Sequence, residues 1–197
     1  MNRIAVLVSG GGTNLQALID AQEEDRLGGG EISLVVSSRK GVFALDRAQK
    51  AGIKSVTIEK RLFKDISDFD EEVYNVLCEN NIDIVVLAGF LSVLGSKVLG
   101  KYKDKIINIH PALIPSFCGK GFYGLHVHEA VLEYGVKVTG ATAHFVNEIV
   151  DGGKIILQKA IDVLPCDTPQ SLQKRVMEEG EWVLLPKAVE MLCKGVI

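Results

Sequence analysis

Ile4-Ala5-Val6-Leu7-Val8-Ser9-Gly10-Gly11-Gly12-Thr13-Asn14-Leu15 opens the chain and sets its fold class. The unbroken apolar run Ile4–Val8 suits a strand covered on both faces, as strands of parallel sheets are. A glycine-rich turn follows, and Leu15, Leu18 and Ile19 then recur at helical spacing. Strand, glycine turn and helix together place free backbone N–H groups and the positive end of a helix dipole at the turn, which suits an anion. The Walker pattern lacks its lysine here, and Leu15 stands where the dinucleotide pattern needs a third glycine. The next strand, read over Ile32–Ser37, runs into Ser38-Arg39-Lys40 with no acid to hold a ribose. A small phosphate monoester therefore fits the turn better than ATP or NAD. The plainer alternative is a tight turn in which Thr13 or Asn14 caps the helix.

Working outward, strands are expected at Ser55–Ile58, Ile82–Leu87 and Ile106–His110. They alternate with helical patterns over Phe43–Ala51, Phe69–Leu77 and Val93–Tyr102, while Lys60–Asp70 reads as a charged loop. This alternation predicts an α/β fold: a doubly wound, mostly parallel central sheet with helices on both faces, related to the Rossmann architecture. The pattern breaks after Pro111. Ala112–Gly124 is irregular and long enough to be functional or mobile. A helix over Val127–Tyr134, strands over Thr139–Val146 and Ile155–Ile161, and a last helix over Pro169–Leu192 complete the reading, with a kink expected at Gly180 or Pro186. Without repeat or linker, residues 1–197 are expected to form one domain.

The bulk properties exclude several classes. The 197 residues are 47% hydrophobic and 24% charged, an ordinary globular balance. A net charge of −3 leaves no basic footprint for nucleic acid. Cys78, Cys118, Cys166 and Cys193 are scattered without a CxxC pair, which suits a reducing compartment. No apolar run is long enough for a bilayer, and no signal peptide opens the chain. The expectation is a cytoplasmic protein with neither nucleic-acid nor membrane partners.

Ile106-Ile107-Asn108-Ile109-His110-Pro111 holds the chemistry. Asn108 and His110 are two residues apart, so on a strand they share a face. Pro111 stops the ladder. In open α/β sheets, strand ends are where ligands sit. Asp151, in Asp151-Gly152-Gly153, is a candidate partner, or else an ordinary turn aspartate. His126, His128, His144, Cys118 and Asp151 offer metal-ligand types, but no HExxH or paired CxxC spacing supports them, and no metal is expected.

Taken in order, Ser9–Gln16, Leu87-Ala88-Gly89-Phe90, Asn108–Pro115 and Asp151-Gly152-Gly153 resemble the folate-dependent formyltransferases, and among them the phosphoribosylglycinamide formyltransferase (glycinamide ribonucleotide transformylase) family. The resemblance runs from about Asn2 to Ala188. It implies transfer of a formyl group from 10-formyltetrahydrofolate to 5-phosphoribosylglycinamide in purine biosynthesis. By the same resemblance, Gly12, Thr13 and Asn14 would hold the phosphate and Glu181 the ribose. Leu91, Ser92, Val93, Leu94 and Asn108 would line the folate site, and the Val146–Asp151 loop would close over the pterin. Many relatives carry a folate-contacting arginine near the position of Ile66; Lys64 is the expected stand-in, with Arg61 nearby. Asn108, His110 and Asp151 would be the catalytic trio: an amide donor and a protonated imidazole aimed at the oxyanion, with Asp151 raising the histidine pKa. The phosphate turn would then lie in residues 1–105, and the catalytic and folate loops in 106–197.

Lys154 stands where relatives often have proline, and His126 where they vary between histidine and lysine. Methionyl-tRNA formyltransferases and formyltetrahydrofolate deformylases resemble the same core but normally add a domain, so chain length speaks against both. A monomer or homodimer is expected. The competing class is a non-catalytic phosphate-binding module, which would tolerate replacement of Asn108, His110 and Asp151.

Overall fold

The computed structural model describes residues 1–197. Its strands are β1 (Asn2–Val8), β2 (Gly30–Ser37), β3 (Ser55–Thr57), β4 (Ile84–Leu87), β5 (Ile106–His110), β6 (Val138–Phe145) and β7 (Ile155–Asp162). They form one seven-stranded sheet in the order β3-β2-β1-β4-β5-β6-β7. The first five run parallel, while β6 pairs antiparallel with β5 and β7 antiparallel with β6. The sheet is continuous from residues 1–105 into 106–197 through the β4–β5 pairing.

The helices are α1 (Thr13–Glu23), α2 (Phe43–Lys50), α3 (Ile66–Glu79), α4 (Ser96–Lys101), α5 (Leu125–Tyr134), α6 (Pro169–Val176) and α7 (Trp182–Cys193). They cover both faces. Ile4, Val6 and Val8 pack with α1, α2 and α7 residues, whereas Ala5 and Leu7 pack on the other face with α3 and α4 residues. Burial of alternate β1 residues in opposite layers is the reason for its unbroken apolar run. No helix is long and apolar enough to cross a membrane.

The structure revises three local expectations and meets a fourth, the break in the last helix at Gly180. Helix α3 starts at Ile66, inside the stretch read as a loop, because the Asp65 carboxylate accepts the Asp68 N–H and caps it; Lys60–Leu62 is a 3-10 turn. Helix α4 starts at Ser96, not Val93. The buried Asp70 carboxylate accepts from the N–H groups of Gly95, Lys97 and Val98 at 2.7, 2.9 and 3.3 Å, and so fixes the start of α4 from a different helix. That leaves Leu91–Leu94 as open loop. The last helix is broken by a π-helical segment, Met177–Glu181, around Gly180, where a Cβ would come within 2.9 Å of Ala141 Cβ. Finally, neither Thr13 nor Asn14 caps α1: the cap position is Gly12, without any side-chain cap.

Strand order reverses between β1 and β4. In open α/β sheets the crevice at that switch, beyond the carboxyl ends of the strands, is where ligands bind. The glycine turn after β1, the loop after β4 and the Asn108–His110 end of β5 all face it.

Candidate active site

The glycine turn is anchored through its carbonyls. The Ala44 N–H donates to Gly10 O at 3.2 Å, and Arg47 Nε donates to Gly11 O at 3.0 Å. The N–H groups of Gly12, Thr13 and Asn14 make no hydrogen bond within the protein. Helix α2 thus holds the turn from behind and leaves its donors, with the N-terminus of α1, open to an anion. Gly12 has a φ of 72°, and a Cβ there would lie 2.7 Å from Ala44 Cβ. Glycine is required by both conformation and space.

Asn14 and Glu181 meet beside this turn. Asn14 Nδ2 donates to Glu181 Oε2 at 2.6 Å, while Asn14 Oδ1 is buried without a partner. Burial pushes the Glu181 carboxyl up to about 7, against the opposing pull of the Asn14 amide. The π segment sets Glu181 here, and Thr13 Oγ1 reaches Met177 Sδ of the same segment at 3.8 Å. Gly12, Thr13, Asn14 and Glu181 therefore stand together. The arrangement suits a phosphate whose neighbouring hydroxyls find an unused amide oxygen and a carboxyl that both donates and accepts.

The second cluster sits at the end of β5. Asp151 Oδ2 lies 3.5 Å from His110 Nδ1, and Asp151 Oδ1 lies 3.7 Å from His144 Nε2 and 3.4 Å from Asn108 Nδ2. Asn108 Nδ2 is 3.0 Å from His144 Nε2, while His144 Nδ1 is 2.7 Å from Phe145 O. A carbonyl can only accept, so His144 carries its proton on Nδ1 and Nε2 accepts from the Asn108 amide. His144 thereby fixes which way Asn108 points. One Asn108 N–H is committed to it, and the other makes only the long contact with Asp151.

His110 lies between two acceptors, the Asp151 carboxylate and Phe117 O, which is 2.8 Å from Nε2. A neutral ring serves one acceptor at a time; only the imidazolium serves both. Burial nevertheless pulls the His110 pKa down, more strongly than the Asp151 charge and the Phe117 carbonyl push it up. The expected rise is thus reversed, because the side chain is only 4% exposed and desolvation dominates. Burial also raises Asp151, but the neighbouring His144 and His110 rings and the Gly119 N–H outweigh it and leave the carboxyl below its ordinary value.

Backbone around the cluster is strained or tightly packed. Asp151 itself is left-handed, with φ 55°, and a Cβ on Gly153 would fall 1.6 Å from Phe145 O. The Asp-Gly-Gly turn is therefore enforced by packing under the end of β6. The Lys154 N–H makes no hydrogen bond, so the proline of many relatives would break none. In the long loop Phe117 has φ 49°, unfavourable for a bulky residue. Its ring lies edge-on to Phe122 and Tyr134 at centroid distances of 6.2 and 5.9 Å. The Gly119 N–H donates to Asp151 Oδ2 at 2.8 Å. Loop 112–124 is thus tied to His110 and Asp151 through main-chain groups, which carry no side-chain signature.

Ser92, Val93 and Leu94 line a cavity with Asn108 and Asp151, and the Val146–Asp151 loop forms its other wall. Leu91 lies outside this cavity, on an adjoining groove. Lys64 borders neither; it is exposed in the bend before α3, while Arg39 and Arg61 reach the groove instead. No group of three or more metal-type side chains is placed to hold an ion. His126 pairs with Glu129 at the surface, and burial pushes the enclosed His128 down to about 4.

With this geometry in place, the formyl transferase family model matches residues 2–189. The chain belongs to the formyl transferase family. It is 34% identical over 195 residues to the phosphoribosylglycinamide formyltransferase of Haemophilus influenzae, covering 99% of this chain and 89% of that protein. It is also 44% identical to the trifunctional purine biosynthetic protein adenosine-3 of Homo sapiens, over 99% of this chain but only 19% of that protein. The chain thus spans about a fifth of the length of the first curated relatives it matches. Glycinamide ribonucleotide transformylase 1 from Symbiobacterium toebii superposes with a TM-score of 0.92 at 38% identity, covering 99% of this chain and 89% of that one. That structure shares the mostly parallel sheet described above.

The sequence named His144 only among the metal-type side chains, not as the partner of Asn108. The only signal for that pairing is the β5–β6 register, which sets His144 directly opposite Asn108.

Proposed function

We propose that this formyl transferase moves a formyl group from 10-formyltetrahydrofolate to the amine of 5-phosphoribosylglycinamide, a step of purine biosynthesis, giving the formylglycinamide ribonucleotide and tetrahydrofolate. The observation that carries the reading is that one strand-end crevice holds both an N–H-lined glycine turn and the Asn108–His110–Asp151 cluster. The name of the Haemophilus influenzae relative, 89% of which this chain covers, supports it.

In this reading the Gly12–Asn14 N–H groups hold the phosphate, and Asn14 Oδ1 and Glu181 take ribose hydroxyls. Ser92–Leu94 and the Val146–Asp151 loop enclose the pterin. The amine nitrogen bonds to the formyl carbon, and the carbonyl oxygen gains negative charge. The weakly engaged Asn108 N–H meets that oxygen, which is where a fixed donor contributes most. Substrate displaces the Phe117 carbonyl from His110 Nε2. Asp151 then favours the proton on Nδ1, and Nε2 becomes a base. It takes the proton lost by the amine, and Asp151 stabilises the imidazolium. The proton passes to the folate nitrogen as its bond to the formyl carbon breaks. A ring that is neutral at rest, as burial makes His110, suits this order of events.

The test is an assay of formyl transfer from 10-formyltetrahydrofolate to 5-phosphoribosylglycinamide, run beside a control without amine. Formylated product that depends on the amine supports the reading. Release of free formate in the control would replace it with donor hydrolysis.

A further inference from the structure

We propose that Asp70 is a positioning residue for the formyl donor: from α3 it holds the Leu91–Leu94 loop in the shape whose free main-chain groups receive the pterin. This rests on the folate reading above and extends it to the residue that prepares the loop.

Leu91–Leu94 has no regular structure, and Ser92, Val93 and Leu94 line the reaction cavity with Asn108 and Asp151. Neither the N–H nor the C=O groups of these three residues make a hydrogen bond within the protein. Free donors and acceptors suit the polar edge of a pterin. They also leave the loop with no main-chain bonds of its own to hold its shape. Ordering such a loop only when the ligand arrives would cost affinity.

The loop is held instead at its two ends, by side chains of distant segments. At one end the Leu91 N–H donates to Ser9 Oγ at 2.9 Å, and Ser9 Oγ lies 2.6 Å from Ser38 Oγ. At the other, Asp70 Oδ1 accepts the Gly95 N–H, while Oδ2 accepts from Lys97 and Val98. Asp70 is 3% exposed, and both of its oxygens are committed. A serine or aspartate in place of Gly95 could cap α4 locally. Here Gly95 brings no side-chain cap, and a Cβ on it would lie 2.6 Å from Asp70 Cγ. The end of the loop is therefore set from α3 and not from its own sequence.

Helix α3 is a firm support. Asp65 caps it, and Glu71 pairs with Lys97 of α4, whose Nζ lies 4.6 Å from the Tyr74 ring centroid. Leu94 is buried in one cluster with Phe69 and Val73 of α3. An apolar contact and a carboxylate thus fasten the same loop to the same helix. The carboxylate is needed in full, because its two oxygens serve donors on both sides. An amide would keep one acceptor and turn an NH2 group toward the remaining N–H.

Titration calorimetry with tetrahydrofolate and, separately, with 5-phosphoribosylglycinamide tests this on the intact protein without requiring turnover. In Asp70→Ala, tetrahydrofolate affinity should fall about tenfold or more, while the ribonucleotide affinity stays within about twofold. Hydrogen exchange of the Ser92, Val93 and Leu94 amides in the free protein should quicken about tenfold, with Thr13 and Asn14 unchanged. A merely structural role would move both ligands and both regions together. Asp70→Asn, which keeps the volume, carries the same test if the alanine variant does not fold; a selective loss of about threefold or more is expected. Native tetrahydrofolate affinity in a folded Asp70 variant, or an equal loss for both ligands, would overturn the proposal alone. Failure of the native protein to bind tetrahydrofolate would overturn the donor reading along with it.

Discussion

The glycine turn and the Asp151 cluster lie two strands apart in the same crevice, yet they are made from opposite materials. The turn presents main-chain N–H groups and owes its shape to Gly12 and to contacts from α2. The cluster is made of side chains, three of them almost fully buried, each holding the next in place. A backbone site depends on conformation and tolerates most changes of side chain. A buried side-chain site fails when any one partner is cut, because the remaining groups are left unpaired in a low-dielectric setting.

Four substitutions sharpen that contrast. The largest effect is expected for Asp151→Ala, which removes the carboxylate that His110, Asn108 and Gly119 share. Turnover should fall on the order of 10²–10³-fold with the fold retained, as judged by steady-state kinetics beside a thermal melt. Near-native turnover would mean that the cluster is not catalytic. Next comes Gly12→Val, which places a β-branched residue at φ 72° against Ala44. It should destabilise the protein by about 2–4 kcal/mol and raise KM for the phosphorylated substrate. An unchanged KM would remove the turn from the binding site.

The third effect is one of pH. Glu181 has its carboxyl raised from 4.5 to about 7 in the folded protein. Between those values the folded state holds a proton that the unfolded state has lost, so stability is full below pH 4.5 and declines until about pH 7. That decline is on the order of 3 kcal/mol. Glu181→Gln should flatten it, and melts recorded from pH 4 to 8 check this. A native protein whose melting temperature is flat over that range would contradict the buried, near-neutral carboxyl. The smallest effect is expected for Thr13→Ala. The Thr13 N–H survives the substitution and the hydroxyl does not cap α1, so KM should stay within about twofold, a change under 0.5 kcal/mol. A large rise in KM would show that the turn binds through its side chains after all.

The same contrast governs what the sequence made legible. The parallel sheet could be read from the apolar runs of β1, β4 and β5, since strands buried on both faces need no pattern beyond hydrophobicity. Asn108 and His110 stood out by their period of two, and the glycine turn by its composition. What stayed hidden depends on contacts distant in the chain. His144 reaches Asn108 only through the β5–β6 register, and a one-residue slip would turn it to the other face. The start of α4 is set by Asp70, 25 residues before Gly95. Phe117 and Gly119 act through their main chains. The direction of the His110 pKa depends on burial, which spacing does not reveal.

The most direct test is a single-turnover measurement with both substrates bound, on the native protein and on His110→Gln. Native protein should formylate the amine without releasing formate. The variant should bind both substrates with little change while the transfer step slows on the order of 10²–10³-fold. Transfer in His110→Gln at close to the native rate would contradict the central role of His110 and Asp151.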